Sequence, residues 1–265
     1  MTKFYKYHGA GNDFILINNL NHRTALNTQQ IQFLCDRHRG IGADGLMMLL
    51  ASSSHDFEMK YFNSDGREGS MCGNGGRCII AFAYDMGLVR DTYHFTAIDG
   101  LHSGRILKND DPEKLVELKM ADVHDVRNDD EHFFIDTGSP HDLNFLQDVQ
   151  DIDVFQEGKK IRYSDFYKEV GVNVNFIEEH EDKLIVRTYE RGVENETLAC
   201  GTGVTAAAIG SGIRQNLRIK NFDIETLGGK LNVRFQTANG KDFTKIYLTG
   251  PTRMVFAGDI ILDRE

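Results

Sequence analysis

Residues 72–87 read CGNGGRCIIAFAYDMG, and residues 200–213 read CGTGVTAAAIGSGI. Each stretch opens with Cys-Gly-x-Gly and continues as an apolar run of helical length. The two cysteines lie 128 residues apart (200 − 72), about half of the 265-residue chain. This spacing predicts two lobes of similar plan, each with a cysteine at the N-terminus of an apolar helix. Two equivalent thiols suit a reaction that must run in both directions, such as the inversion of a carbon centre.

The N-terminus of a helix changes the chemistry of a thiol. An ordinary cysteine has a pKa near ~8.5, so only about 3% is thiolate at pH 7. Unpaired N–H groups and the helix dipole stabilise the thiolate, and the same N–H groups can bind a carboxylate. The glycines let a ligand approach the backbone closely. Cys72 and Cys200 are therefore predicted to be reactive thiols, each beside an anion-binding site.

The other two cysteines have a simpler explanation. Cys35 and Cys78 fall on the apolar faces of predicted helices, where a buried cysteine acts as a small hydrophobic residue. The spacing does not fit zinc, because Cys72 and Cys78 are separated by five residues and no Cys-x-x-Cys pair is present. A cysteine–histidine hydrolase is chemically possible with 10 histidines, but it would leave the second Cys-Gly-x-Gly unexplained.

The composition is that of a globular protein, with 40% hydrophobic and 26% charged residues. The net charge of −10 argues against nucleic acid as the main partner. No stretch approaches the ~18 apolar residues of a membrane span, and residues 1–12 contain no apolar signal core. We therefore expect a cytoplasmic protein with reduced cysteines and with neither a nucleic-acid nor a membrane partner.

Short β-type segments bounded by Gly, Asn or Asp dominate the rest of the chain. The predicted strands are 13–18, 45–50, 57–62, 114–120, 132–136, 183–190, 230–235, 245–248 and 253–256. The predicted helices are 29–39, 75–86 and 203–213, the first with Thr28 as N-cap and Gly40 as C-cap. Together they predict a mixed α/β fold. The polar segment 109–112 (NDDP) is the best candidate for a boundary between the lobes.

Polar clusters precede both cysteines. Segments 62–66 (FNSDG) and 189–192 (YERG) end predicted strands, and segment 8–14 (HGAGNDF) begins one. Asn63 precedes Cys72 by nine residues (72 − 63), and Arg191 precedes Cys200 by nine (200 − 191). This matched placement predicts that the clusters line a shared cleft.

One glycine motif has a different explanation. Segment 40–45 (GIGADG) matches the dinucleotide pattern G-x-G-x-x-G. It follows a predicted helix and precedes a predicted strand, whereas a Rossmann loop follows a strand and opens a helix. A helix cap and turn is therefore favoured over a nucleotide site.

The motifs resemble those of the diaminopimelate epimerases over nearly the whole chain. The matching segments, in the family's order, are HGAGNDF, RHRGIGADG, FNSDGREGSMCGNGGRC, TGSPH, GVNVNF, YERGVENETLACGTG and LTGPTRMVFAGDI. The resemblance implies two pseudo-symmetric lobes, each a curled, mostly antiparallel sheet around a central helix, with the active site between them. Residues 1–111, completed by 250–265, would form the first lobe, and residues 112–249 the second.

The resemblance also implies the reaction. It indicates an isomerase that works without a cofactor or a metal and interconverts LL- and meso-diaminopimelate. The implied mechanism is acid–base chemistry by one thiolate and one thiol. The implied setting is the biosynthesis of lysine and cell-wall precursors in the cytoplasm, by a homodimer that binds a small diamino-dicarboxylate.

By position, the resemblance assigns roles to individual residues. Cys72 and Cys200 would be the two bases, and His141 and Glu190 would assist at the reaction centre. The implied substrate-binding residues are Asn12, Asn63, Gly73, Asn74, Asn173, Glu190, Arg191, Gly201 and Thr202. Arg191 is suited to a two-pronged hydrogen bond with the distal carboxylate. Gly45 and Ser139 stand where the family often has glutamine and asparagine, so two substrate-contacting amides are missing.

Two other functions fit part of the pattern. A proline or hydroxyproline racemase would share the fold, but Arg191, Asn63 and Asn173 favour a longer substrate with a second polar end. A catalytically inactive amino-acid-binding protein is an alternative from a different class. The presence of both cysteines argues against it.

Overall fold

The computed structural model describes residues 1–124, 126–128, 133–217 and 220–262. Four helices and sixteen strands lie within these described residues. The helices are α1 (Thr28–Cys35), α2 (Gly73–Asp85), α3 (Val154–Arg162) and α4 (Gly201–Arg214). The strands are β1 (Thr2–Gly9), β2 (Asn12–Asn19), β3 (Gly45–Leu50), β4 (Phe57–Asn63), β5 (Tyr93–Ala97), β6 (Gly100–Asp110), β7 (Glu113–Lys119), β8 (Val126–Asn128), β9 (Phe133–Asp136), β10 (Pro140–Leu146), β11 (Asn173–Glu179), β12 (Leu184–Glu190), β13 (Asn195–Thr197), β14 (Asn221–Thr226), β15 (Gly229–Thr237) and β16 (Phe243–Ile260).

The predicted strands are confirmed to within a few residues at their ends. The predicted strands 245–248 and 253–256 are parts of one long strand, β16. His132, the first residue of another predicted strand, lies outside the described residues. The helices predicted from residues 75 and 203 begin two residues earlier, at Gly73 and Gly201.

The first helix differs from its prediction at both ends. Its N-cap is Asn27, not Thr28, because the side chains of Asn27 and Gln30 each accept a hydrogen bond from the other's backbone N–H. The helix ends at Cys35, not Arg39, and its C-cap is Asp36, so the prediction of Gly40 as the C-cap is wrong. There the Asp36 carboxylate accepts from the backbone N–H groups of the next residues, at 2.8 Å each, and turns the chain. The segment 40–45 is a turn leading into β3, as predicted.

The chain divides into two compact units, and the first comprises Met1–Leu118 with the segment from Gly250 onward. Its strands follow the order β1-β2-β3-β4-β5-β6-β7-β16. The sheet closes on itself because β16 pairs with β7 at Gly250–Arg253 and with β1 at Arg253–Ile260. The β2–β3 and β4–β5 pairs are parallel and the other neighbours are antiparallel.

Helix α2 is the core of this first unit. Every residue from Gly73 to Ala83 is buried, so the helix is enclosed on all sides rather than amphipathic. Its first turn tolerates this because it is rich in glycine: a Cβ on Gly76 would lie 2.7 Å from Met71 Sδ and 2.9 Å from Leu118 Cδ2. The glycines therefore bring the start of the helix close to its neighbours.

The second unit comprises Lys119–Thr249. Its strands follow the order β8-β9-β10-β11-β12-β14-β15-β16, and β13 pairs with β12. The β10–β11 and β12–β14 pairs are parallel. Helix α4 is buried from Gly203 to Gly212. Its residues are small, and a Cβ on Gly210 would lie only 2.5 Å from Leu143 Cδ1 of β10. Small side chains thus let this sheet pack closely on its helix.

The two units share one plan, as the repeated motif predicts. In each, two antiparallel strands lead through a helix (α1 or α3) to a strand parallel to the second. A further antiparallel strand (β4 or β12) then leads into the Cys-Gly-x-Gly helix. The strand that follows this helix (β5 or β14) is parallel to the strand that precedes it. The fold class is therefore the predicted mixed α/β arrangement. The division falls after Leu118, whereas segment 109–112 is the end of β6 and the two-residue turn into β7.

Three negative findings apply to the described part of the chain. No helix there combines the length and the apolar character needed to cross a bilayer. No disulfide joins any of the four cysteines, all of which are described. No group of three or more His, Cys, Asp or Glu side chains in the described ranges is arranged to hold a metal ion.

Candidate active site

Cys72 is the N-cap of α2 and lies at the mouth of its glycine-rich first turn. Its backbone is extended (φ −107°, ψ 155°), and its Sγ accepts a hydrogen bond from the backbone N–H of Gly75 at 3.2 Å. An N–H donor and the positive end of the helix both favour a negative charge on this sulfur. Cys72 is partly exposed, whereas Cys35 and Cys78 are buried in the core as predicted.

The residues after Cys72 are held by one buried arginine. Arg77 is fully buried and donates from Nη1 to the carbonyl oxygen of Gly73 at 3.0 Å. It also donates from Nη2 to Oδ1 of Asn74 at 2.9 Å. Asn74 in turn donates from Nδ2 to Oδ1 of Asn12 at 3.3 Å. Two predicted substrate-binding residues, Asn12 and Asn74, are thereby brought into contact.

Asn63 ends β4 opposite Gly45 of β3. The loop after it is closed by two backbone hydrogen bonds of 2.9 Å, from the N–H of Asn63 to the carbonyl of Arg67 and from the N–H of Gly66 to the carbonyl of Asn63. Asn63 is exposed. Its side chain is therefore presented at the end of β4 by a turn with two backbone hydrogen bonds.

Gly45 has no room for a side chain. A Cβ there would lie 2.5 Å from Cε2 of Tyr61 and 2.7 Å from the backbone oxygen of Phe62. The Tyr61 ring therefore fills the space into which residue 45 would project. Residue 45 must therefore be a glycine as long as Tyr61 and Phe62 of the neighbouring strand keep their positions, and a glutamine does not fit there.

We expect Gly45→Ala to lower the free energy of unfolding by about 1–3 kcal/mol, because β4 must move away from β3 to admit one methyl group. Urea denaturation of the two proteins, followed by far-UV circular dichroism, measures the difference. An unchanged midpoint and slope would show that the space beside Gly45 is not closed.

Cys200 is the N-cap of α4 and differs in detail from Cys72. It is 7% exposed, its side chain makes no capping hydrogen bond, and its Sγ lies 3.4 Å from Oγ1 of Thr202. A Cβ on Gly203 would lie 3.2 Å from Cβ of Cys200 and 2.5 Å from Oδ1 of Asn175. The thiol thus lies above a glycine that packs directly on a buried amide.

Asn173 organises the loops beside α4. Its Nδ2 donates to Oγ of Ser139 at 2.8 Å and to the carbonyl of Pro140 at 3.0 Å. Its Oδ1 accepts from the backbone N–H of Arg191 at 2.9 Å. Ser139 is therefore a hydrogen-bond partner of Asn173. Asn173 is 3% exposed, which places it beneath the surface that Arg191 presents.

Arg191 and Glu190 lie where β12 ends. Arg191 is exposed and donates from Nη1 to the carbonyl of Val170 at 3.2 Å. Oε2 of Glu190 accepts from Oγ1 of Thr197 at 2.8 Å. Both side chains are thus tethered on one side, and the Arg191 guanidinium stays accessible for a carboxylate.

His141 is completely buried in β10, and its tautomer follows from its neighbours. Asn175 accepts at Oδ1 from the Thr188 hydroxyl at 2.9 Å, and its Nδ2 lies 3.1 Å from the carbonyl of Asp142 and 3.0 Å from Nδ1 of His141. A carbonyl can only accept, so the amide nitrogen faces the imidazole and Nδ1 is the acceptor. The ring proton is therefore on Nε2, which has no partner within the described residues.

Burial keeps this imidazole neutral. Desolvation, and after it the Arg191 charge, together lower the pKa of His141 to about 3. A neutral imidazole with a proton on Nε2 can donate a hydrogen bond but does not act as an acid at pH 7. The assisting role that the resemblance implies for His141 would therefore be that of a hydrogen-bond donor through Nε2.

We predict that His141 keeps the neutral Nε2–H tautomer from pH 8 down to pH 5. The measurement is the ¹⁵N spectrum of the two ring nitrogens in the folded protein, with the His141→Gln variant identifying the resonances. A protonation midpoint between pH 6 and 7 would contradict the assignment.

Several residues of this site are absent from the sequence predictions. They are Asp44, which accepts a hydrogen bond from Nδ2 of Asn12 at 2.6 Å, and Arg77, Asn175 and Thr188, whose contacts are given above. Asn175 could have been found, because it is two residues from Asn173 and alternate residues share one face of a strand. Arg77 had a weaker signal, a charged residue within an apolar helical run.

Comparison with known proteins places this chain in a family. The family model described as diaminopimelate epimerase matches residues 4–123 and 133–255. A diaminopimelate epimerase of Flavobacterium psychrophilum is 48% identical over 256 residues, which cover 96% of this chain and 98% of the relative. One of Chlorobaculum tepidum is 40% identical over 268 residues, covering 96% and 99%.

Solved structures with the same fold are more distant in sequence. A phenazine biosynthesis protein of the PhzF family from Bacillus anthracis aligns with a TM-score of 0.74 at 15% identity, over 98% of this chain and 99% of the other. A probable proline racemase from Agrobacterium radiobacter K84 aligns with a TM-score of 0.69 at 14% identity, over 99% and 94%. At this identity, the likeness concerns the fold alone.

Proposed function

Because the chain belongs to the diaminopimelate epimerase family and is an isomerase, we propose that it interconverts LL- and meso-diaminopimelate with two cysteines as acid and base. The observation that carries the mechanism is the matched pair of N-caps: Cys72 opens α2, Cys200 opens α4, and both helices are buried. The sequence identity of 48% over nearly the whole chain supports the substrate.

The proposed reaction moves one proton off carbon and one onto it. A thiolate, Cys72 or Cys200, removes the α-proton from one face of the substrate, and the C–H electron pair stays on the carbon as a carbanion. The other thiol then protonates the opposite face, so the configuration inverts. Each turnover leaves the two sulfurs with exchanged protonation states, ready for the reverse direction. Each sulfur must approach the reacting carbon to about 3–3.5 Å.

The helix N-termini supply the electrostatic part of the mechanism. The backbone N–H groups of Gly73, Asn74, Gly201 and Thr202 are the proposed ligands of the reacting carboxylate. Charge that develops as the α-proton leaves can spread onto this carboxylate, where fixed N–H dipoles stabilise it. The neutral His141 would add a hydrogen bond from Nε2 and would not carry the transferred proton.

The proposed recognition of the distal end depends on polar side chains, of which Arg191 and Asn63 are exposed and Asn173 is buried. Arg191 would bind the distal carboxylate, and Asn63, Asn173 and Glu190 would contribute polar contacts or hold their neighbours in place. A proline-type substrate has no second charged end for these groups. This favours a diamino-dicarboxylate over the alternative racemase substrates and over a binding protein without catalysis.

The deciding experiment is proton exchange in D₂O. The purified protein is incubated with LL-diaminopimelate, and separately with L-proline, while the α-proton signal is followed by NMR. We expect deuterium at the α-carbon and formation of the meso isomer with the first substrate and no exchange with proline. Exchange with proline alone would favour the other racemase type, and exchange with neither would favour the binding protein.

The remaining expectations concern the setting. We propose a role in lysine and cell-wall precursor biosynthesis, a cytoplasmic location and a homodimeric assembly, all by analogy with the family. Analytical ultracentrifugation at micromolar concentration tests the assembly, since a single species near the monomer mass of 30.0 kDa would contradict it.

A further inference from the structure

A one-way chain of hydrogen bonds connects a buried cation to an exposed carboxylate in the first unit. Arg77 donates to Asn74 Oδ1 (2.9 Å), Asn74 donates to Asn12 Oδ1 (3.3 Å), and Asn12 donates to Asp44 Oδ2 (2.6 Å). The second oxygen of Asp44 accepts from Arg37 Nη2 at 2.6 Å. Every hydrogen bond in this amide chain, from Arg77 to Asp44, runs in the same direction.

The chemistry of the two ends sets that direction. A guanidinium has only donors, so Asn74 must turn its oxygen toward Arg77. An ionised carboxylate only accepts, so Asn12 must turn its nitrogen toward Asp44. Two asparagines in contact could otherwise run either way, because their amides are nearly symmetric in shape. The ends therefore determine which atom each amide presents to its surroundings.

Arg77 is otherwise an expensive residue for this position. It is fully buried, no carboxylate of the described residues forms an ion pair with it, and its Nε has no partner there. Burial lowers the pKa of Arg77 to about 10, against the effect of the sulfurs of Cys78 and Cys72. It stays protonated at pH 7, but an unpaired buried charge costs stability. An apolar side chain would suit the rest of this helix better.

We propose that Arg77 and Asp44 are positioning residues that orient the amides of Asn12 and Asn74 for binding the substrate. In the observed direction, each of the two amides has its oxygen turned toward Arg77 and its nitrogen turned away from Arg77. Donor nitrogens on that side suit an anionic carboxylate of the substrate. The reverse direction would turn the amide oxygens around and repel that carboxylate. This inference rests on the proposed function and adds to it a substrate contact by the side-chain amides of Asn12 and Asn74.

The test compares the two ends of the amide chain. Arg77→Met removes the donor end with an apolar side chain of similar length, and Asp44→Asn removes the obligate acceptor with the same shape. Each is expected to raise the KM for LL-diaminopimelate about 10-fold, the loss of one hydrogen bond to a charged group, with a smaller change in kcat. Because the removal of either end alone already leaves the direction of the hydrogen bonds undefined, the KM of the double variant should be little higher than that of either single variant.

A matched control comes from an exposed ion pair of the same residue types. Arg39 and Asp36 are 2.6 Å apart and lie outside the amide chain, so Arg39→Met and Asp36→Asn should leave KM unchanged. If Arg77→Met does not fold, the KM of Asp44→Asn, which changes the exposed end, tests the inference by itself. An unchanged KM in the folded variants, or fully additive effects, overturns the inference while the wild type still epimerises. Failure of the wild type to exchange the α-proton would instead overturn the proposed function.

Discussion

Replacing either Cys72 or Cys200 by alanine is expected to reduce epimerisation by at least about 10³-fold. Each thiol supplies one of the two proton transfers, and loss of a positioned acid or base typically costs about 10²–10⁴-fold. A variant with one thiol can still exchange the α-proton of the isomer whose C–H bond faces that thiol. We therefore expect Cys72→Ala and Cys200→Ala to exchange deuterium into opposite isomers, without inversion.

The measurement is deuterium uptake in D₂O from LL- and from meso-diaminopimelate, each assayed with both variants. Cys35→Ala is the matched control, because Cys35 is buried in α1 and burial raises its pKa to about 12. This control should keep its turnover and lose only some stability. Normal turnover in either active-site variant, or exchange into the same isomer by both, would exclude the two-thiol mechanism.

Gly203→Ala should reduce kcat about 10²-fold although it leaves both thiols in place. The added Cβ would lie 2.5 Å from Oδ1 of Asn175 and 3.2 Å from Cβ of Cys200. The amide is held by Thr188, His141 and Asp142 and is fully buried, so it cannot move without its partners. A displacement of about 1 Å at a reacting group is enough for a loss of this size.

The matched control for this glycine is its counterpart in the other motif. A Cβ on Gly75 would lie 3.2 Å from Cys72 Sγ and 3.4 Å from Sδ of Met47, and both are flexible side-chain atoms. Gly75→Ala should therefore reduce kcat clearly less than Gly203→Ala. Steady-state kinetics of both variants, with circular dichroism as a check on folding, measure the difference. Equal effects would show that the amide behind Gly203 is not the cause.

Much of the fold was predictable because its strongest signals are local. The β-rich segments, the two apolar helices and their N-terminal cysteines follow from residue type and periodicity over short windows. The repeated motif also indicated two units of one plan. The predicted end of α1 was wrong because the Asp36 carboxylate accepts from the backbone N–H groups that follow it. Whether it does so depends on the rotamer of one side chain.

The orientation of the site residues was not predictable from such windows. In the sequence Arg77 is a single charge in an apolar helical run, and only the fold shows that it is linked through Asn74 to Asn12. The tautomer of His141 depends on Asn175, which lies on the neighbouring strand β11. Hydrogen bonds between residues distant in sequence leave no periodic signal.

The amino-acid sequence by itself determined the fold class, the two motifs and the placement of Cys72 and Cys200 at helix N-termini, because helix formation and capping are set by neighbours along the chain. The tertiary structure alone decided which atoms these motifs present. Burial keeps His141 neutral, the Tyr61 ring closes the space at Gly45, and Arg77 sets the direction of an amide chain that ends at Asp44. Desolvation, close packing and hydrogen-bond direction arise only when distant segments meet, and here they give two similar motifs different surroundings.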